Sequence, residues 1–213
     1  MLFRSGAVLS GFTLTNGYTL EDSGTLGSGG GAWCDGVLTN CVLRGNVAAS
    51  DGGGTYGGAL YNCVLSDNSA GQNGGGVAAT GAATWWWFAS CTLYNCVLTG
   101  NSAGQSGGGA AATSETSFGF ASCALYNCTL TGNSAVSGGG VVGCALTNCL
   151  VYFNRAQWGA NWGIEPTCAS TSMGACIMTI PALPEFSYCC TTPLPRSEER
   201  RVGKECRSGR SPY

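Results

Sequence analysis

The chain has 213 residues, with 36 Gly, 14 Cys, no His and charged side chains at only 9%. The missing His excludes a Ser-His-Asp triad, a His general base and His ligation of zinc, and the hydrophobic share of 44% excludes a disordered chain. A net charge of −2 argues against a nucleic-acid groove, and no apolar run reaches the ~18 residues of a membrane-spanning helix. The charge is unevenly placed. Residues 6–195 carry −6, whereas residues 196–213 carry +3 and hold the only lysine, Lys204. A composition break this sharp marks a boundary.

In chain order, the first strong signal is a repeat. Glycine triplets stand at Gly29–Gly31, Gly52–Gly54, Gly74–Gly76, Gly107–Gly109 and Gly138–Gly140, and each precedes an Asn-Cys pair. Those pairs begin at Asn40, Asn62, Asn95, Asn127 and Asn148, at intervals of 22, 33, 32 and 21 residues. A second asparagine follows in every unit, at Asn46, Asn68, Asn101, Asn133 and Asn154, and an alanine two residues after it. The unit is a glycine corner, a short segment, Leu-x-Asn-Cys-x-Leu, and a turn. Nothing sustains a period of 3.6 residues. The alternation in Leu93-Tyr94-Asn95-Cys96-Val97-Leu98 suits two short strands meeting at a bend. Units of about 21 residues with several such strands are coils of a solenoid, and glycine permits the positive φ of its corners.

The two longer intervals are insertions. Adjacent units carry 11 and 10 extra residues at the same place, ending in Phe88-Ala89-Ser90-Cys91 and Phe120-Ala121-Ser122-Cys123. Matching insertions in neighbouring coils are expected to stack as one lateral flap. The first holds Trp85, Trp86, Trp87 and Phe88, and the second holds Phe118 and Phe120. Flat apolar rings complement the faces of sugars, so these six are the candidate ligand-binding residues. The competing reading is that the flap covers its own aromatics against the solenoid.

Two columns are read as structural. Asparagines at one position of every coil stack at about the 4.8 Å strand spacing and form an amide ladder; these are Asn46, Asn68, Asn101, Asn133 and Asn154. The column Cys41, Cys63, Cys96, Cys128 and Cys149 is read as small buried hydrophobes or inter-coil disulfides, beside a second column of Cys91, Cys123 and Cys144. In-register thiols are not tetrahedral, so no metal is expected, and no cofactor. Cysteine at this density suggests an oxidising, exported setting. Cys168, Cys176, Cys189 and Cys190 lie among prolines and are better disulfide candidates for an irregular end segment, residues 166–195.

The glycine and Asn motifs resemble the repeats of bacterial surface proteins with a right-handed parallel β-helix, including the polymorphic outer-membrane-protein family and the wider pectate-lyase-like superfamily. Leu98-Thr99-Gly100-Asn101 and Leu130-Thr131-Gly132-Asn133 stand in that family's Phe-x-x-Asn motif, with Leu in place of Phe. Gly139-Gly140-Val141 resembles its Gly-Gly-Ala-Ile motif, and Gly11–Gly17 resembles one more coil. Cys190-Thr191-Thr192-Pro193-Leu194-Pro195 resembles the closing segment of such domains in large secreted proteins of environmental bacteria. The ends resemble something else. Residues 196–208 read as the translation of a common short-read sequencing adaptor, and Met1–Ser5 as its other end. These are expected to be non-native residues flanking an internal, metagenomic fragment.

The resulting expectation is an all-β, right-handed parallel β-helix of roughly seven to eight coils. Residues 6–165 form the repeats, residues 166–195 the irregular end, and residues 1–5 and 196–213 the adaptor-derived ends. The expected role is non-enzymatic: a stalk or adhesin-like segment of a larger exported bacterial surface protein, located extracellularly or at the outer membrane, whose partners are glycans or host and cell-surface components. A glycan-binding module and part of a polysaccharide lyase or hydrolase are the alternatives. A lyase needs a carboxylate cluster and a basic residue, and a hydrolase needs two carboxylates within about 5–10 Å. Asp35, Asp51 and Asp67 fall at different places in three neighbouring coils, so they form no column.

Overall fold

The structure is a computed structural model that describes residues 2–3, 6–20, 27–81, 89–114, 121–163, 167–170, 176–179, 186–187 and 190–192. Its regular elements are strands. Four all-parallel sheets hold seven, seven, seven and five strands, and in each sheet the neighbour of a strand comes from the adjacent coil. This is a parallel β-helix with a four-sided coil. The fourth coil shows the pattern: Val77–Gly81, Ala89–Tyr94, Val97–Thr99 and Ser102–Ala103 lie in the first to fourth sheets. The fifth coil repeats it with Ala110–Ser114, Ala121–Tyr126, Thr129–Thr131 and Ser134–Ser137.

Five coils have strands in all four sheets, and a partial coil flanks them at each end. That makes five complete coils and two partial ones, against the seven or eight reckoned from 22 residues per coil. The reckoning spends residues on coils that the chain spends elsewhere. The two insertions take some. Others lie between Trp162–Gly163 and Phe186–Ser187, a stretch that includes an antiparallel pair, Thr167–Ser170 with Cys176–Thr179. Gly11–Gly17 does join the solenoid, with Thr13–Thr15 pairing in register with Val42–Arg44.

Each corner has its own chemistry. Between the second and third sheets the chain turns through Asn40, Asn62, Asn95, Asn127 and Asn148, all at φ 52–54°. Asparagine tolerates this left-handed conformation better than other residues with a Cβ. The glycine triplet closes the coil. At its centre a Cβ on Gly53 would stand 2.4 Å from the Ser69 carbonyl oxygen and 2.5 Å from that of Gly75. No side chain fits where backbones approach this closely.

The interior is a set of stacked columns. Leu38, Leu60, Leu93, Leu125 and Leu146 line the second sheet, and Leu43, Leu65, Leu98, Leu130 and Val151 the third. All are essentially inaccessible to solvent. Each buried leucine is worth roughly 1.5–3 kcal/mol, and it is buried only by the coils above and below. The first sheet is buried on both faces over Val77–Gly81. The two insertions leave and rejoin the sheets in register, Thr80 opposite Thr113 and Ala89 opposite Ala121.

Candidate functional site

Inside the corner between the third and fourth sheets, Asn46, Asn68, Asn101, Asn133 and Asn154 stack as one ladder. Each Oδ1 accepts from the coil before it: Asn101 Oδ1 takes the backbone N–H of Asn68 at 3.0 Å and its Nδ2 at 3.0 Å. Each Nδ2 also donates to a leucine carbonyl of the preceding coil, Leu65 for Asn101, at 2.9 Å. The same pattern recurs at Asn133 and Asn154. The ladder has two defined ends. At one, Gly17 occupies the Asn position and its N–H donates to Asn46 Oδ1 at 2.8 Å. At the other, Asn161 stands where the other coils have the third glycine of the triplet, and its Oδ1 accepts from Asn154 N and Nδ2 at 3.3 and 3.1 Å. The polar groups of this column are spent on joining coils.

The outer surface of the second sheet carries a feature that sequence reasoning missed. Tyr61, Tyr94 and Tyr126 stack face to face, with ring centroids 5.1 and 4.7 Å apart and planes within 4° and 10°. Beside them runs an exposed second amide ladder, Asn40, Asn62, Asn95 and Asn127, with Nδ2 to Oδ1 bonds of 3.2–3.4 Å. The signal was present as Leu-Tyr-Asn-Cys, repeated in three successive units. An outward residue at a strand end has the same sequence pattern whether its ring stacks on the next coil or stands alone, so the repeat by itself does not reveal the stack. None of the strands of this sheet carries a charged residue. Charge sits one corner away, where Arg44 Nε lies 3.3 Å from Asp67 Oδ2 with both side chains largely exposed.

The first cysteine column, Cys41, Cys63, Cys96, Cys128 and Cys149, consists of buried thiols. Each donates to the carbonyl two residues back and to a leucine carbonyl of the preceding coil, as Cys63 does to Tyr61 at 3.3 Å and Leu38 at 3.5 Å. Sulfur hydrogen bonding to Cys96 holds the Cys63 thiol protonated, and burial adds to it. The second column differs. Cys91 and Cys123 form a disulfide, and Cys144 beside them is a thiol that burial pushes up to about 12.

The three acids of the early coils stand apart in the structure. Asp51 is buried; its Oδ1 accepts from Asn73 N at 2.9 Å and Asn73 Nδ2 at 3.0 Å, and its Oδ2 from Thr80 Oγ1 at 3.0 Å. Burial outweighs these donors and raises its pKa. Asp67 faces Arg44 at the surface. The candidate aromatics Trp85, Trp86, Trp87, Phe88, Phe118 and Phe120 lie outside the described residues, as do the side chains of Cys168, Cys176, Cys189 and Cys190. No helix among the described residues is long and apolar enough to cross a membrane. In comparisons with known proteins, no family model, no curated protein and no solved structure matches this chain.

Proposed function

We propose that this chain is a non-enzymatic, rod-like segment of an exported surface protein that displays its side faces for adhesion. The observation that supports this reading is the continuity of coil-to-coil bonding from Gly17 to Asn161. Interior polar side chains tie one coil to the next, which suits a stiff spacer. Cysteine-rich coils with an inter-coil disulfide suit an oxidising compartment. The test is to present the chain on beads to immobilised glycans and to cell surfaces, with polysaccharide solutions assayed in parallel for chain shortening. Retention on a glycan or cell surface, with polymers left intact, is the expected outcome. Depolymerisation would replace this reading with that of a polysaccharide-active enzyme.

Glycan binding is the more specific form of the same reading. The Tyr61–Tyr94–Tyr126 stack and its neighbouring amide ladder favour it, because ring edges and amides recur at the coil spacing on an uncharged face. Loss of glycan retention in Tyr94→Ala or Trp86→Ala, at unchanged far-UV circular dichroism, supports this form. Equal retention by both variants excludes those positions.

A further inference from the structure

Three cysteines share one column of the second sheet. Cys91 pairs in register with Cys123, and Cys123 pairs in register with Cys144. All three are buried, at 2, 3 and 2% exposure. The disulfide joins Cys91 to Cys123 across a Cα separation of 4.7 Å, and Cys144 remains a thiol. The two rungs are alike in kind. Parallel neighbours in register lie about 4.8 Å apart, inside the roughly 4.4–6.8 Å range that a disulfide spans. Cys123 therefore has an equivalent sulfur neighbour on either side.

We propose that this column is a thiol–disulfide exchange site in which the bond has two seats, Cys91–Cys123 and Cys123–Cys144. The Cys144 thiol first leaves its hydrogen bond to the Val142 carbonyl oxygen, 3.2 Å away, and loses its proton. The thiolate attacks Cys123 Sγ, the Cys144–Cys123 bond forms as the Cys123–Cys91 bond breaks, and Cys91 departs as a thiolate that takes up a proton. One disulfide and one thiol exist before and after, so neither oxidant nor reductant is consumed. The covalent staple moves from the junction of the fourth and fifth coils to that of the fifth and sixth.

The neighbouring coil is built to receive the released sulfur. Cys91 is in register with Gly58, and a Cβ on Gly58 would stand 2.8 Å from Cys34 Sγ. A glycine there makes room for a fourth sulfur at the end of the column. The released Cys91 thiol would thus stay in a sulfur-lined interior rather than face solvent. Because burial pushes Cys144 up to about 12, its thiolate is scarce at neutral pH and exchange is slow there.

The test uses the whole oxidised chain, held folded at pH 5 or pH 9 with no added thiol. Samples are quenched in acid, unfolded, alkylated at low pH and digested without reduction, and the cross-linked peptides are identified by mass spectrometry. At pH 5 the Cys91–Cys123 peptide is expected with alkylated Cys144. At pH 9 a Cys123–Cys144 peptide should grow as the first declines, and alkylation should move to Cys91. The rate should rise about tenfold per pH unit and be independent of protein concentration. Cys144→Ser should abolish the new peptide. Persistence of Cys91–Cys123 alone at pH 9, over a time in which the urea-unfolded chain scrambles its pairs, would overturn the proposal. So would growth that depends on concentration, which is exchange between molecules. The wild-type chain carries the decisive readout, so the outcome does not depend on a variant that folds.

Discussion

Asp51 shows how far a single side chain departs from its pattern. It precedes a glycine triplet, where an acid reads as an ordinary turn former, yet it is 3% exposed and ringed by donors from Asn73 and Thr80. Burial raises its pKa above the unfolded value, so the folded chain takes up this proton at a higher pH than the unfolded chain. The associated stability is present in acid and is lost as pH rises through the folded pKa. Wild type should therefore gain on Asp51→Asn as pH falls from 7 to 4, read as a rise in the wild-type Tm minus the variant Tm; a constant difference would contradict the assignment. Phe153 offers a second residue-scale case. It stands at φ 53° where Gly45, Gly100 and Gly132 stand in other coils, and it is exposed with one edge contact to Tyr152. A bulky residue in this conformation costs about 1–2 kcal/mol. Phe153→Gly should stabilise the fold by about 1 kcal/mol in urea denaturation, and a loss of stability would show that the ring contact dominates.

At the scale of the element, two asparagine ladders of equal period differ in what they carry. Spacing alone assigns Asn95 and Asn101 to fixed places in the coil. The difference between them lies in burial: Asn101 is inaccessible and its side chain makes four ladder bonds, whereas Asn95 is exposed and its positive φ is what the corner requires. Asn101→Ala strands the Asn68 N–H in the interior, takes the amide donor from the Leu65 carbonyl, and leaves Asn133 Oδ1 with the residue-101 backbone N–H alone. Unsatisfied buried groups cost about 1–3 kcal/mol each, so a loss of about 2–5 kcal/mol is expected in denaturant titration. Asn95→Gly keeps the corner conformation and should cost less than about 1 kcal/mol. Equal losses would mean that the corner, not the buried amides, carries the stability. The strand pattern around each Asn-Cys pair was legible because alternation and a turn former suffice to define it. The stacked tyrosines were not, since outward aromatic residues look alike in sequence whether they stack or stand alone.

For the whole molecule, contacts run between neighbouring coils, so stability propagates along one dimension. Amide hydrogen exchange should be slowest in the third to fifth coils, for example at Leu65, Leu98 and Leu130, and faster at Thr13–Thr15, which among the described residues has a neighbouring strand on one side only. Uniform protection from end to end would indicate a single cooperative unit. By itself, the sequence determined the repeat, the β class, the corners and the parallel stacking. Each of these follows from a local rule applied at a fixed period, and stacking is the only way such short strands bury their leucines. The number of coils, the four-sided section, the capping of the inner ladder by Asn161 and the choice of Cys91–Cys123 over Cys123–Cys144 were decided by the tertiary structure. These depend on where residues outside the repeat are spent, and on which of several equal neighbours a side chain meets once the coils are packed.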